Sequence, residues 1–289
     1  MAEQNLIKKA DLQRVREIDF VERFAESTQK LIEMLGVTRL EPRQAGTVLK
    51  VYKATGQLVN DGTVAEGDII PLSKYTVSGT AVGEMALKKW RKATSAEAIS
   101  EKGYDQAVTM TETRMIKDVQ AAIKNQFTTF LATGTGVASG NGLQAALAAA
   151  WGQLQIKFED NDIESVYIVN PLDIADYLGS ADVTLQTAFG LTYIENFLGL
   201  GTVIMTSAVT KGTFYATAKD NIVLYYLPVA SGGFDGAFEF TADNPGFIGM
   251  HEEPDYTNMT SSETVVSGIN IFAERLDGVI VGTITNEGA

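Results

Sequence analysis

Between residues 109 and 133 runs a helical stripe long enough to set the scale of the whole molecule. Ile116, Val119, Ile123, Phe127 and Phe130 recur at spacings of 3, 4, 4 and 3, with Leu131 adjacent. That spacing keeps one apolar face along a 3.6-residue helix. Thr109 and Glu112 match the T-x-x-E pattern of a capping box, and Gly134 supplies a stop. At 1.5 Å per residue the predicted helix is roughly 35–40 Å long. A helix of that length serves as a spine and needs a large body around it. The 289-residue chain, 45% hydrophobic, can supply one or two domains with a sizeable core.

Upstream, residues 11–35 form a second predicted helix. Phe20, Phe24, Thr28, Leu31 and Leu35 follow helical spacing, Ile18, Val21 and Ile32 flank them, and Gly36 stands at the natural end. The stripe has to be covered either by the chain's own body or by a neighbouring subunit, and the spacing leaves both open. Residues 47–82 then change texture. VLKVY and IIPLSKYTVSG are strand-like, and the Gly/Asn/Asp-rich stretch between them has Asn60, Asp61 and Gly62 at its tip. This predicts a long β-hairpin. With little apolar face of its own it projects from the body and wants a partner surface.

Downstream, Gly134, Gly136, Gly140 and Gly142 read as a connector between two helices, the second carrying Leu143, Leu147, Trp151 and Leu154. From Val166 to Pro228, VYIVN, PLDIADYLG, TVIMTS, TFYATA and IVLYYLP alternate strands and helices as in a compact α/β domain. From Phe234 onward the runs FEFTAD, GFIGMHEEPDYT and TVVSGINIFAERLDGVIVGTIT read as antiparallel strands.

The catalytic vocabulary is sparse. There is no cysteine and one histidine, His251, so disulfides, thiolate chemistry and histidine-rich zinc sites are excluded. The glycine run reads GxGxxxGxG behind a predicted helix, where a dinucleotide fingerprint needs GxGxxG behind a strand, and no GK[ST] follows. His251, Glu252, Glu253 and Asp255 lack the convergent geometry of a metal site, and EDNDIES at 159–165 lacks the calcium-loop spacing. Ser27 and Lys30 form an isolated SxxK without its partner motifs. The sequence therefore nominates no catalytic, cofactor-binding or metal-ligating residue, and no cofactor. Charge is lopsided: residues 151–289 hold 4 basic and 19 acidic residues, net −15, against +2 for the first 150. An acidic half of that size disfavours sequence-specific nucleic-acid reading, which rests on Lys and Arg. No apolar run approaches the ~18 residues of a membrane span, and MAEQNLIKKADLQ has no signal-peptide core.

The order of these parts resembles the major capsid proteins of tailed bacteriophages, whose fold is named after phage Hong Kong 97. The hairpin ending in VAEGDIIPLSKY looks like that family's extended loop, and the 109–133 helix like its spine helix. VNPLDIADYLG at 169–179 resembles a strand-to-helix phrase of the axial domain, and INIFAERLDGVIVGTI at 269–284 the closing strand of the peripheral domain. The resemblance implies an α+β fold with an N-terminal arm (1–45) and an extended loop hairpin and following short helix (46–95). It further implies a spine helix of the peripheral domain (96–140), an axial domain (141–232), and peripheral-domain strands with the C-terminus (233–289). It implies a non-enzymatic head protein that assembles as pentamers and hexamers into an icosahedral shell around double-stranded DNA. Its partners would be further copies of itself, a separate scaffolding protein (since Met1 is present), a portal protein, and packaged DNA held by weak non-specific contact, with no membrane. The location would be the virion, after assembly in the host bacterial cytoplasm. Some relatives crosslink a loop lysine to an asparagine. Lys50, Lys53 and Lys74 and Asn244, Asn258 and Asn270 are the residue types available, but none is singled out with a glutamate, so no crosslink is expected. Two other readings stay open: an encapsulin-like nanocompartment shell, which encloses cargo protein, and an enzyme, either a nucleotide-binding α/β protein using residues 134–142 or a carboxylate-based hydrolase.

Overall fold

The computed structural model describes residues 9–60, 62–159, 163–178, 185–188, 191–229 and 238–285. The hairpin-tip residue Asp61, residues 160–162 of EDNDIES and residues 234–237 lie outside them. The chain opens with α1 (Lys9–Leu35), which ends at Gly36 with φ +63°, the left-handed conformation that a helix C-terminus favours. Phe20, Phe24, Thr28, Leu31 and Leu35 are all buried, and they pack against this chain's own body. Of the two covers left open by the sequence, the chain supplies its own. The expected N-terminal arm is thus a docked helix over its described length.

After β1 (Arg39–Pro42), the strands β2 (Val48–Gly56) and β3 (Tyr75–Glu84) pair antiparallel as a two-stranded ribbon, with a bulge between Leu49 and Lys50. Then come β4 (Lys88–Ser95), α2 (Ala96–Lys102), a π turn (Asp105–Thr109) and the spine α3 (Met110–Leu131). The short helix expected before residue 95 therefore follows a strand instead. β4 is rich in Lys, which hides its strand character, and its inward residues Trp90 and Lys92 pair across to Val265 and Glu263.

The second half runs β5 (Gly136–Asn141), α4 (Gly142–Lys157), β6 (Ser165–Val169), α5 (Pro171–Leu178), β7 (Gln186–Ala188) and β8 (Leu191–Ile194). It continues through β9 (Gly201–Met205), β10 (Thr213–Ala218), β11 (Ile222–Tyr226), β12 (Thr241–Ala242), β13 (Ile248–Asp255), β14 (Thr260–Ser267), β15 (Asn270–Ala273) and β16 (Val279–Thr285). A seven-stranded sheet has the order β5-β16-β10-β6-β9-β8-β7. A four-stranded sheet has β12-β13-β14-β4, and a three-stranded one β1-β11-β15.

The hydrophobic core lies on both faces of the seven-stranded sheet. β6 is buried throughout, and its alternating side chains feed two clusters. Val166 and Ile168 meet α1 and α3, whereas Tyr167 and Val169 meet Leu147 and Leu154 of α4 and Ile174 of α5.

Five sequence expectations need correction. The glycine connector is the strand β5, paired in parallel with β16. Its glycines answer close packing: a Cβ at Gly136 would stand 2.8 Å from Ile280 Cγ1, and one at Gly140 would collide with the Ala146 backbone of α4. The capping box does not form. Thr109 is already helical and its side chain makes no capping bond, because the helix runs on from the π turn and Glu112 turns inward instead. The 269–284 phrase is split at a turn over Leu276–Gly278, where Thr217 Oγ1 donates to Gly278 O at 2.9 Å. β15 then pairs with β11, and β16 closes the seven-stranded sheet rather than the four-stranded one. Within the α/β stretch, β11 leaves the main sheet for the three-stranded one. Trp151 faces outward while Ala146 and Ala150 fill the α4 contact.

Candidate assembly surfaces

The ribbon is anchored at its root, where Leu49 to Tyr52 of β2 face Val223, Tyr225 and residues 272–275 of the body. Leu49 is buried, Met85 N donates to Thr47 O at 2.9 Å, and Gly46 N donates to Met85 O at 2.8 Å. Beyond the root its apolar side chains are bare: Ile69, Ile70 and Leu72 are 94%, 72% and 93% exposed, and Leu58, Val59, Tyr52, Tyr75 and Val77 are exposed as well. Large apolar side chains clustered in the open mark an interaction surface. A second set of exposed apolar residues, Val137, Trp151, Ile156, Leu172 and Leu198, lies around the seven-stranded sheet.

A buried ionic cluster holds the body behind the ribbon together. Arg16 of α1 reaches Glu112 of α3, Glu252 Oε1 of β13 at 2.7 Å and Glu263 Oε1 of β14 at 3.2 Å. Its guanidinium also lies 5.0 Å from the centre of the Tyr104 ring. Lys92 Nζ of β4 stands 3.0 Å from Glu263 Oε2 and donates to Val108 O and Thr111 Oγ1 at 3.0 and 2.6 Å. Burial pushes the Glu263 carboxyl up, against the opposing pull of Lys92 and Arg16. The same burial pushes the Lys92 ammonium down, against Glu263. Glu17 completes the joint by continuing the sheet edge where β12 stops: its Oε1 accepts from Glu252 N at 2.7 Å and its Oε2 from Thr241 Oγ1. Arg16, Glu112 and Glu263 have no sequence signature, since their separations reach 247 residues.

Of the residues weighed for chemistry, Ser27 and Glu252 make contacts within the fold. Ser27 Oγ accepts from Gln120 Nε2 at 2.8 Å and so ties α1 to α3. His251, Glu252, Glu253 and Asp255 lie along β13, with Glu252 turned into the ionic cluster and Glu253 exposed. Among the described residues no group of three or more His, Asp or Glu side chains is placed to hold a metal. No helix of the described residues is long and apolar enough to cross a membrane. Of the asparagines considered for crosslinking, Asn270 is buried, accepting from Gln126 Nε2 and donating to Met85 Sδ at 3.1 Å.

No family model and no curated protein matches the sequence. Solved structures do match the fold. A Gordonia phage Cozz structure superposes with a TM-score of 0.55 at 12% identity, over 89% of this chain and 87% of that one. The capsid of an empty GTA particle gives 0.55 at 9% identity, over 86% and 88%. The chain has the Hong Kong 97-type capsid fold. That capsid fold is shared by an encapsulin complex from Synechococcus elongatus, which matches with a TM-score of 0.51 at 8% identity, over 89% and 90%. The α+β class, the long central helix and the projecting hairpin expected from the sequence are all present in it.

Proposed function

We propose that this chain is the major capsid subunit of a tailed phage, assembling as pentamers and hexamers into an icosahedral shell around double-stranded DNA. The observation that carries the reading is the ribbon: an element anchored at one end, with Ile69, Ile70 and Leu72 uncovered, on a body whose fold is that of capsid proteins. A monomer exposing such a loop gains by laying it on a neighbour, and a lattice repeats that gain by symmetry. In this reading α1, α3 and the four-stranded sheet form the peripheral part. The seven-stranded sheet with α4 and α5 forms the axial part, with β16 returning to it. The subunit works by conformation and assembly rather than catalysis, beside a separate scaffolding protein and a portal, with weak contact to packaged DNA. It reaches the virion after assembly in the host cytoplasm.

The Synechococcus encapsulin shares the fold, and this supports a second reading, a nanocompartment shell enclosing protein cargo. Negative-stain microscopy of the purified chain, alone and with a candidate scaffold, tests both. Closed shells or capsomer rings support a shell protein, and nucleic acid inside native particles selects the phage reading while protein cargo selects the nanocompartment. A chain that stays monomeric under every condition sinks both.

A further inference from the structure

Resting on the shell reading, we infer that β3 of one copy adds to the free edge of β5 of a neighbouring copy by strand pairing. Free sheet edges present unpaired N–H and C=O groups, and proteins guard them with charge, proline, shortness or cover. Among the described residues nearly every edge is guarded. β1 is four residues long and carries Arg39, Glu41 and Pro42, and β15 is buried throughout. β7 has three residues, and β12 has two and is continued by the Glu17 carboxylate. β4 bears Lys88, Lys89, Arg91 and Lys92, and β2 bears Lys50 and Lys53. Two edges remain open. β5, Gly-Val-Ala-Ser-Gly-Asn, has no charge and no proline, and Val137 on it is 76% exposed. β3 is uncharged from Tyr75 to Gly83, and Val77 on it is 67% exposed.

Among the described residues both open edges belong to this one chain, which points to a second copy as the occupant. The arms of the ribbon, residues 48–60 and 74–84, carry Lys50, Lys53 and Lys74 against Glu84, and the stretch between them carries the acids Asp61, Glu66 and Asp68. Residues 151–289, which supply six of the seven strands in the sheet bearing β5, carry a net −15. Pairing β3 to β5 brings Lys50, Lys53 and Lys74 toward the acidic half of a protein whose copies otherwise repel at −13 each. Backbone bonds supply the attraction, as in other cases of strand addition.

The chain has no native cysteine, so crosslinking has no background. Val137→Cys is combined in turn with a single cysteine at each of positions 75–82, and intact particles are oxidised. Disulfides need Cα atoms about 4.4–6.8 Å apart. The expected result is covalent multimers for one register, weakening on either side of it and absent from the single variants. Val137→Lys, which adds a guard at an exposed site, is expected to keep the unmodified melting temperature and lose assembly. Intact particles with no crosslink at any position, or normal assembly of Val137→Lys, overturn the pairing while leaving the shell reading standing. Crosslinking by Val137→Cys alone overturns β3 as the occupant. Failure of the unmodified chain to form particles overturns the shell reading and this pairing together.

Discussion

Arg16 ties α1 to three other elements of the fold. It meets carboxylates from α3, β13 and β14, and with Lys92 and Arg23, whose Nη2 stands 3.8 Å from Glu112 Oε2, it faces three acids, Glu112, Glu252 and Glu263. Removing one partner of such a cluster leaves opposite charge buried and unpaired. Arg16→Met is expected to destabilise the fold by about 3–5 kcal/mol, the usual cost of leaving buried charge unpaired. Glu263→Gln is expected to cost less than Arg16→Met, because burial already disfavours the Glu263 charge, Arg16 keeps Glu112 and Glu252, and Lys92 keeps Val108 O and Thr111 Oγ1. The pH dependence follows in sign. Burial raises the Glu263 pKa, so the folded chain binds that proton more tightly than the unfolded chain. Its contribution favours the fold at low pH and is lost as pH rises through the carboxylate range, a slope that Glu263→Gln removes. Urea unfolding of the three proteins between pH 4 and 7 checks both statements, and a Glu263→Gln as destabilised as Arg16→Met would count against this account of the cluster. None of this was legible in the sequence. The partners of Arg16 lie on the buried faces of strands and helices that meet only after folding, and an isolated Glu on a strand looks like a solvated one.

At the scale of elements, legibility followed periodicity. α1 and α3 declared themselves because their stripes, Phe20-Phe24-Leu31-Leu35 and Ile116-Val119-Ile123-Phe127, are buried on one face each. The ribbon declared itself through strand-like arms around a Gly/Asn/Asp tip. β4 and β5 did not, for opposite reasons. β4 carries its lysine stems at an edge, one of them neutralised inside by Glu263, and β5 is glycine-rich because α4 and β16 press against it. The capping pattern at Thr109 misled because the π turn continues the helix upstream. The ribbon's own sequence has a consequence that folding stability cannot reveal. Ile69 and Leu72 touch almost nothing in the monomer, so Ile69→Ser with Leu72→Ser is expected to shift the melting temperature by no more than the equivalent of about 0.5 kcal/mol. The same variant is expected to abolish or strongly slow particle formation by light scattering. Normal particles from it would remove the ribbon's apolar tip from the assembly contacts.

For the molecule as a whole, the two halves named by resemblance are expected to fold as one body. The seven-stranded sheet is shared: β6 sends Val166 and Ile168 toward α1 and α3, and Tyr167 and Val169 toward α4 and α5. β16 and β5 also tie the end of the chain to the segment just after the spine helix. Opening one face of that sheet exposes strands whose other face is packed, so both cores are expected to melt in one transition. Phe127→Ala, in the core with α1 and α3, and Leu147→Ala, in the core with α4, should each cost several kcal/mol, about 3–5 and 2–5 respectively. In a shared-sheet protein each variant lowers the same single calorimetric peak, with calorimetric and van't Hoff enthalpies in agreement for the unassembled subunit. Separable halves would instead show a second peak, with Leu147→Ala shifting one and Phe127→Ala the other. A single transition would also mean that strain applied at the ribbon or at β5 reaches both cores through the same seven strands.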